Sequence, residues 1–256
     1  MIGRRGLFSA AGLLLAASPA PPLAATPISR LDTPWWRQRH AEKLAEIRLR
    51  RFDLVFLGDS ITQNWERAGP EPWENFQPAW RHYYGNRNAL NLGFSGDATS
   101  HLLWRLRNGE VEGIAPRAAV ILIGANNLGR LHWPAEEDVA GIVAVVDETK
   151  RRLPGTRLLL LGVLPSERSA WASETTLEIN RALAARYAGS DVAFIDLAPL
   201  FAPAGKVDRA LFYDPLLTPP EPPLHPTAAA QARMAAGIEP TLARLLGEPP
   251  RPPFTT

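Results

Sequence analysis

Cysteine is absent from all 256 residues. That excludes a thiolate nucleophile, a disulfide framework and a Cys-ligated metal. Charge of one sign is lacking as well, since 28 Lys and Arg stand against 26 Asp and Glu. No basic footprint for nucleic acid results, and no nucleic-acid partner is expected. The longest apolar stretch near the N-terminus, Leu7 to Ala17, falls short of the ~20 residues that span a bilayer. There is no His-Glu-x-x-His pair and no carboxylate cluster, so no metal and no cofactor are expected. A Gly-x-Ser-x-Gly elbow is missing too, which argues against an α/β-hydrolase. What is present is a chain with 46% hydrophobic residues, 25 Pro and 19 Gly. Those proportions fit one compact domain with a substantial core and exclude disordered and collagen-like chains.

The N-terminus reads as an export signal over residues 1–25. Arg4 and Arg5 supply a positive start, Leu7 to Ala17 an apolar segment, and small or turn-forming residues continue through Ala25. The paired arginines before Gly6, Leu7 and Phe8 suit a twin-arginine signal, with an ordinary Sec signal as the alternative. Cleavage is expected between Ala20 and Ala25. Losing Arg4 and Arg5 leaves 26 basic against 26 acidic residues, a neutral mature chain. The expectation is an exported protein, periplasmic or extracellular.

Along the mature chain, apolar runs of strand length occur at 53–57, 89–92, 118–123, 157–161 and 192–195. Helical patterns lie between and around them, at 34–51, 99–107, 135–152, 173–188 and 227–246. This alternation predicts parallel strands joined by right-handed crossovers. The fold class is α/β, a three-layer α/β/α sandwich on a five-stranded parallel, flavodoxin-like sheet. It occupies residues 26–247, and the tail 248–256, with four prolines, reads as an extended and flexible end.

Ligands in such sheets bind beyond the carboxyl ends of the strands. Three of those ends carry unusual residues: Gly58-Asp59-Ser60-Ile61, Gly93-Phe94-Ser95-Gly96-Asp97 and Gly124-Ala125-Asn126-Asn127. Ser60 is placed as a nucleophile. The Ser60 and Gly93 N–H groups and the Asn126 amide form a candidate oxyanion hole, the second requirement of acyl transfer. Of five histidines, His225, in Leu224-His225-Pro226-Thr227 before the last helix, is the candidate base; His40, His82, His101 and His132 lie in or near helical patterns. Asp59 and Asp97 read as loop-orienting residues. Trp65, Trp73, Trp80, Trp104 and Trp133 are candidates for a pocket lining, although core and rim are the commoner places for tryptophan.

On these motifs the sequence resembles the GDSL esterases, also called SGNH hydrolases, over essentially the whole mature chain. Ser60 matches the nucleophile of the family's first block, Gly93 the glycine of its second, Asn126 the asparagine of its third and His225 the base of its last. Within the family the likeness is to the catalytic subunits of platelet-activating factor acetylhydrolase, through the stretches Leu92 to Leu106 and Gly124 to Asn127. The resemblance implies the fold argued above and hydrolysis of an ester or thioester through an acyl-serine.

One feature departs from the family pattern. The family's acid stands three residues before the base, and that position is Pro222. Asp214 fills the role if Pro215 to Pro223 is an insertion, and it is the favoured acid. Glu221, or a backbone carbonyl on the imidazole, are the alternatives. The expected protein is a secreted serine esterase acting on short acyl, chiefly acetyl, esters of a small molecule, with acylated carbohydrate or lipid as candidates. An acyltransferase using the same acyl-serine and a binding module with a decayed triad are the competing readings. Oligomeric state is left open, a homodimer included.

Overall fold

A computed structural model describes residues 21–69 and 75–255. Most of the expected signal, residues 1–20, lies outside the described residues, as does Trp73.

The strands are β1 (Leu54–Gly58), β2 (Ala89–Gly93), β3 (Ala118–Leu122), β4 (Arg157–Leu161) and β5 (Val192–Ile195). They form one sheet in the order β2-β1-β3-β4-β5, every pair parallel. β1 and β3 are buried along their whole length, because helices cover both faces; this is why they read as unbroken apolar runs. Successive side chains still alternate between two cores. Val55 and Leu57 join one cluster, with Leu102, Val145 and Ile179. Leu54 and Phe56 join the other, with Tyr84, Phe201 and Ile238.

The covering helices are α1 (Pro34–Glu46), α2 (Ser60–Gln63), α3 (Gln77–Tyr84), α4 (Thr99–Arg107), α5 (Ala125–Gly129), α6 (Ala135–Arg152), α7 (Ala170–Tyr187), α8 (Ala198–Phe201) and α9 (Ala228–Leu246). Their ends carry recognisable chemistry. α6 opens on Glu136, Glu137 and Asp138 and closes on Lys150, Arg151 and Arg152, matching the helix dipole at both ends. Ser169 and Thr227 cap α7 and α9 through their hydroxyls, and Gly247 stops α9 with a left-handed φ of 67°. α1 ends five residues earlier than its charge pattern predicts, because the chain must turn there to bring buried Phe52 into the core.

The segments at both expected domain boundaries pack against the body. Residues Leu23–Ala25 already belong to the packed body: Ala24 is fully buried, its N–H donates to Glu137 and its carbonyl accepts from Thr99 Oγ1 at 2.8 Å. A Cβ at Gly141 would lie 2.8 Å from Ala24, so α6 is shaped to receive this segment. The proline-rich tail is docked rather than loose. Glu248 pairs with Arg87 and Arg117, the Arg251 N–H donates to Glu239, and the Phe254 N–H donates to the Tyr83 hydroxyl. Proline holds the tail extended, and the few N–H groups that remain find acceptors on α3 and α9. Trp65 and Trp80 pack with Phe56 and Tyr84, and Trp104 packs on Trp36 and His40. These tryptophans pack into aromatic clusters of the core.

Candidate active site

The carboxyl ends of β1, β2 and β3 place the three unusual sequences side by side. Arg105 on α4 holds two of these ends: its guanidinium donates to the carbonyls of Gly58 and Leu92, both at 3.1 Å. The same group bonds Asp97 at 2.8 Å and the buried Glu110, whose carboxyl burial pushes up to about 7. Asp97 also accepts from the Trp36 indole and from Arg30, each at 2.8 Å. The loop after β2 is thereby fixed from below by a buried network in which each charge has a partner.

Ser60 is the first residue of α2, and Asp59 caps that helix by accepting the Ile61 N–H at 3.0 Å. Ser60 Oγ lies 2.9 Å from His225 Nε2, and Asp214 Oδ1 lies 2.5 Å from His225 Nδ1. Asp214 is 1% exposed, and its second oxygen accepts the backbone N–H groups of Leu224 and His225. Burial alone would raise the Asp214 carboxyl, but the hydrogen bonds from His225 and from the two N–H groups hold it below the ordinary value. Tyr213 stacks on the imidazole, centroids 5.3 Å apart and planes 10° apart, and its hydroxyl accepts from Asn64. Sequence reasoning gave no role to this tyrosine.

The eleven-residue gap between Asp214 and His225 closes through backbone pairing. Phe212 bridges Pro226, the Tyr213 N–H donates to the His225 carbonyl, and the Thr227 N–H donates to the Leu211 carbonyl. The segment from Pro215 to Pro223 loops out from that ladder. Glu221 is exposed on the loop, and its N–H, not its carboxylate, reaches Asp214.

Gly93 is a correction. Its N–H donates to Asn91 Oδ1 at 2.8 Å and is not available to a substrate. Glycine is needed there for a different reason: a Cβ would lie 2.2 Å from the Gln63 nitrogen and 2.6 Å from the Thr62 carbonyl carbon, so β2 touches α2 directly. Gly96, three positions on and at φ 74°, lines the cavity instead. Among the described residues, no protein group accepts the N–H of Gly96 or of Ser60. Asn126 borders the same cavity of about 260 Å³ as Gly96. Its amide is aimed by the Asp97 carbonyl at 3.0 Å and by Asp59 at 3.4 Å. Asn127 faces away, accepting the Thr99 N–H and donating to Thr99 and Asp138. It ties α4, α5 and α6 together.

Asp59 sits beneath this crevice, and burial pushes its carboxyl up to about 6, against the Ile61 N–H and the nearby His225. A native value above the unfolded 3.8 means the ionised form is destabilising. That loss is absent well below pH 4 and complete above about pH 6. Asp59→Asn keeps a good cap and removes the buried charge. We expect it to stabilise the protein by up to about 3 kcal/mol at pH 8 and by little at pH 4. Urea titrations at the two pH values measure the difference, and an equal effect at both would mean that Asp59 ionises freely.

No His/Cys/Asp/Glu cluster suited to a metal occurs among the described residues, and no described helix is long and apolar enough to cross a membrane. Residues 56–233, which contain every catalytic group above, match the GDSL-like Lipase/Acylhydrolase family model. The platelet-activating factor acetylhydrolase IB subunit alpha1 of Homo sapiens is 33% identical over 182 residues, covering 70% of this chain and 74% of the relative. The alpha2 subunit of Rattus norvegicus is 35% identical over 131 residues, 51% of this chain and 52% of its own. In fold, the chain is similar to a GDSL-like lipase from Bacteroides thetaiotaomicron, with TM-score 0.62, 18% identity and coverage of 81% and 97%. A carbohydrate acetylesterase from Sinorhizobium meliloti gives TM-score 0.57, 16% identity and coverage of 77% and 100%. With the family model spanning well over half its length, the chain belongs to the GDSL-like lipase/acylhydrolase family and is a carboxylic ester hydrolase.

Proposed function

We propose that the protein is an exported serine esterase that removes short acyl groups, acetyl above all, from a small-molecule alcohol through an acyl-serine intermediate. The observation that carries this reading is the unbroken line from Asp214 through His225 to Ser60 Oγ, beside N–H donors that no protein group uses.

In the first step His225 Nε2 takes the Ser60 proton as Oγ adds to the ester carbonyl. Asp214, kept anionic by its low pKa, holds the Nδ1 proton and faces the imidazolium that forms. The oxyanion is received by the N–H groups of Ser60 and Gly96 and by the Asn126 amide, which exchanges its long 3.4 Å contact with Asp59 for the substrate. Collapse expels the alcohol, which takes the proton from His225. Water then enters, loses a proton to His225 and adds to the acyl carbon; collapse breaks the bond to Ser60, whose Oγ takes that proton back as the acid leaves. A decayed triad loses its motive, because Asp214 stands where Pro222 left a gap.

The acetyl preference draws support from the relatives named as acetylhydrolase subunits and from the acetylesterase fold neighbour. Export draws support from the pattern of residues 1–25. Cleavage near Ala20 preserves the seat of Ala24 against α6, whereas cleavage after Ala25 removes it. The test is a series of p-nitrophenyl esters from acetate to palmitate. We expect kcat/KM to be highest for acetate and to fall steadily with chain length, and a fluorophosphonate probe to label Ser60. A maximum at long chains would overturn the acyl assignment, and an unlabelled Ser60 the mechanism.

A further inference from the structure

The cavity beside Asn126 has an uneven chemistry. Gly96, Arg30, His101, Arg130 and Leu131 line it with Asn126, and its two charged side chains, Arg30 and Arg130, are both cationic. Arg130 comes from the end of α5 and reaches over the loop after β2, where its guanidinium would lie 2.6 Å from a Cβ on Gly96. Among the described residues it has neither an ion-pair nor a hydrogen-bond partner for that guanidinium. Arg30, behind it, is already matched by Asp97 and the Ser95 carbonyl. His101 accepts the Ala98 N–H on Nδ1, at 2.9 Å, so the neutral ring carries its proton on Nε2. Burial pushes this ring down to about 4, aided by Arg30, Arg105 and Arg130 and opposed by Asp97. The nearest carboxylates are committed elsewhere: Asp97 to Arg30, Arg105 and Trp36, and Asp59 to the α2 cap and Asn126.

A catalytic crevice flanked by an unpartnered guanidinium, and with no uncommitted carboxylate beside it, complements a negative charge on the substrate. We propose that Arg130 forms an anion subsite, so that the preferred ester carries a carboxylate or phosphate on its alcohol half. The alcohol half is indicated because the cavity opens to solvent at Arg130 and Leu131, both exposed. An acetyl group is far smaller than the ~260 Å³ available, leaving room for the charged portion. Arg130 is a specificity-determining residue here: it receives the anion in a charge-assisted, fork-like hydrogen bond and takes no part in the proton transfers.

The proposal rests on the esterase reading, and its test separates the two. Three acetyl esters of matched size are compared: 3-acetoxybenzoate, 3-acetoxyphenyl phosphate and the neutral 3-acetoxybenzamide. We expect the wild type to prefer an anionic ester over the amide by about tenfold in kcat/KM, mainly through KM. The ranking of carboxylate and phosphate identifies the source of the charge. Arg130→Gln should bring the ratio to about one, Arg130→Lys should keep part of it, and about 0.5 M NaCl should shrink it in the wild type. Equal rates on acid, phosphate and amide, or a ratio unmoved by Arg130→Gln, overturn the proposal. Should the wild type hydrolyse none of the three, the esterase reading is in trouble on its own account. Calorimetric binding of 3-hydroxybenzoate against 3-hydroxybenzamide then decides the subsite: preference for the acid that is lost in Arg130→Gln supports it, and no preference overturns it.

Discussion

Ser60→Ala should reduce kcat for ester hydrolysis by about 10⁵–10⁶ while shifting unfolding free energy by less than about 1 kcal/mol. The two halves of this result have separate causes. Chemistry stops because Oγ is the atom that attacks, and a water taking its place is neither as close nor as well oriented. Stability holds because the partner of that hydroxyl is His225 Nε2, on a side chain 20% exposed, which solvent can satisfy. The backbone N–H at position 60 remains for the oxyanion, and the Asp59 cap on Ile61 is untouched. Paired kinetic and denaturant measurements check both halves. Turnover within about tenfold of wild type in purified Ser60→Ala would remove this serine from the mechanism.

Asp214→Asn comes next in size, at up to about 10⁴ in kcat. In the wild type one carboxylate oxygen accepts from His225 Nδ1 and the other from two backbone N–H groups. An asparagine must turn its oxygen toward the two N–H groups, which leaves its NH₂ facing Nδ1. The imidazole then accepts at Nδ1 and carries its proton on Nε2, where it cannot take the Ser60 proton. Glu221→Gln should change kcat by less than about twofold, since that side chain is an exposed loop charge. His225→Ala should fall as far as Ser60→Ala. A mild Asp214→Asn with a severe Glu221→Gln would reverse the assignment of the acid.

Much of this site is legible in the sequence because parallel sheets separate structure from chemistry along the chain. Runs such as Leu54–Gly58 and Ala118–Leu122 announce buried strands by composition, and the residues just beyond each run must lie at the crevice. Ser60 and Asn126 declare themselves that way, and His225 by its place just before the last helix. The second-strand glycine misleads for a physical reason. Gly93 and Gly96 are both indispensable-looking glycines in one short loop, but one avoids a collision with α2 and the other adopts positive φ. Only the Asn91 side chain, two residues back, tells that the Gly93 N–H is engaged. Helix α3 escapes notice because it is short and begins with Gln77-Pro78. The tail misleads because its order comes from contacts with Tyr83, Glu239 and Arg87, none of them near in sequence. Composition sees the prolines and not their distant partners.

The ladder between 211–213 and 225–227 makes the sequence distance between acid and base a free variable. Catalysis requires only the register of two facing segments, and the chain that joins them can lengthen at small entropic cost. Fixed-interval pattern searches will therefore miss relatives whose joining loop has grown. The same loop is a natural place to open the chain, graft a recognition segment or add a binding module, at the mouth of the crevice and without resetting the catalytic alignment.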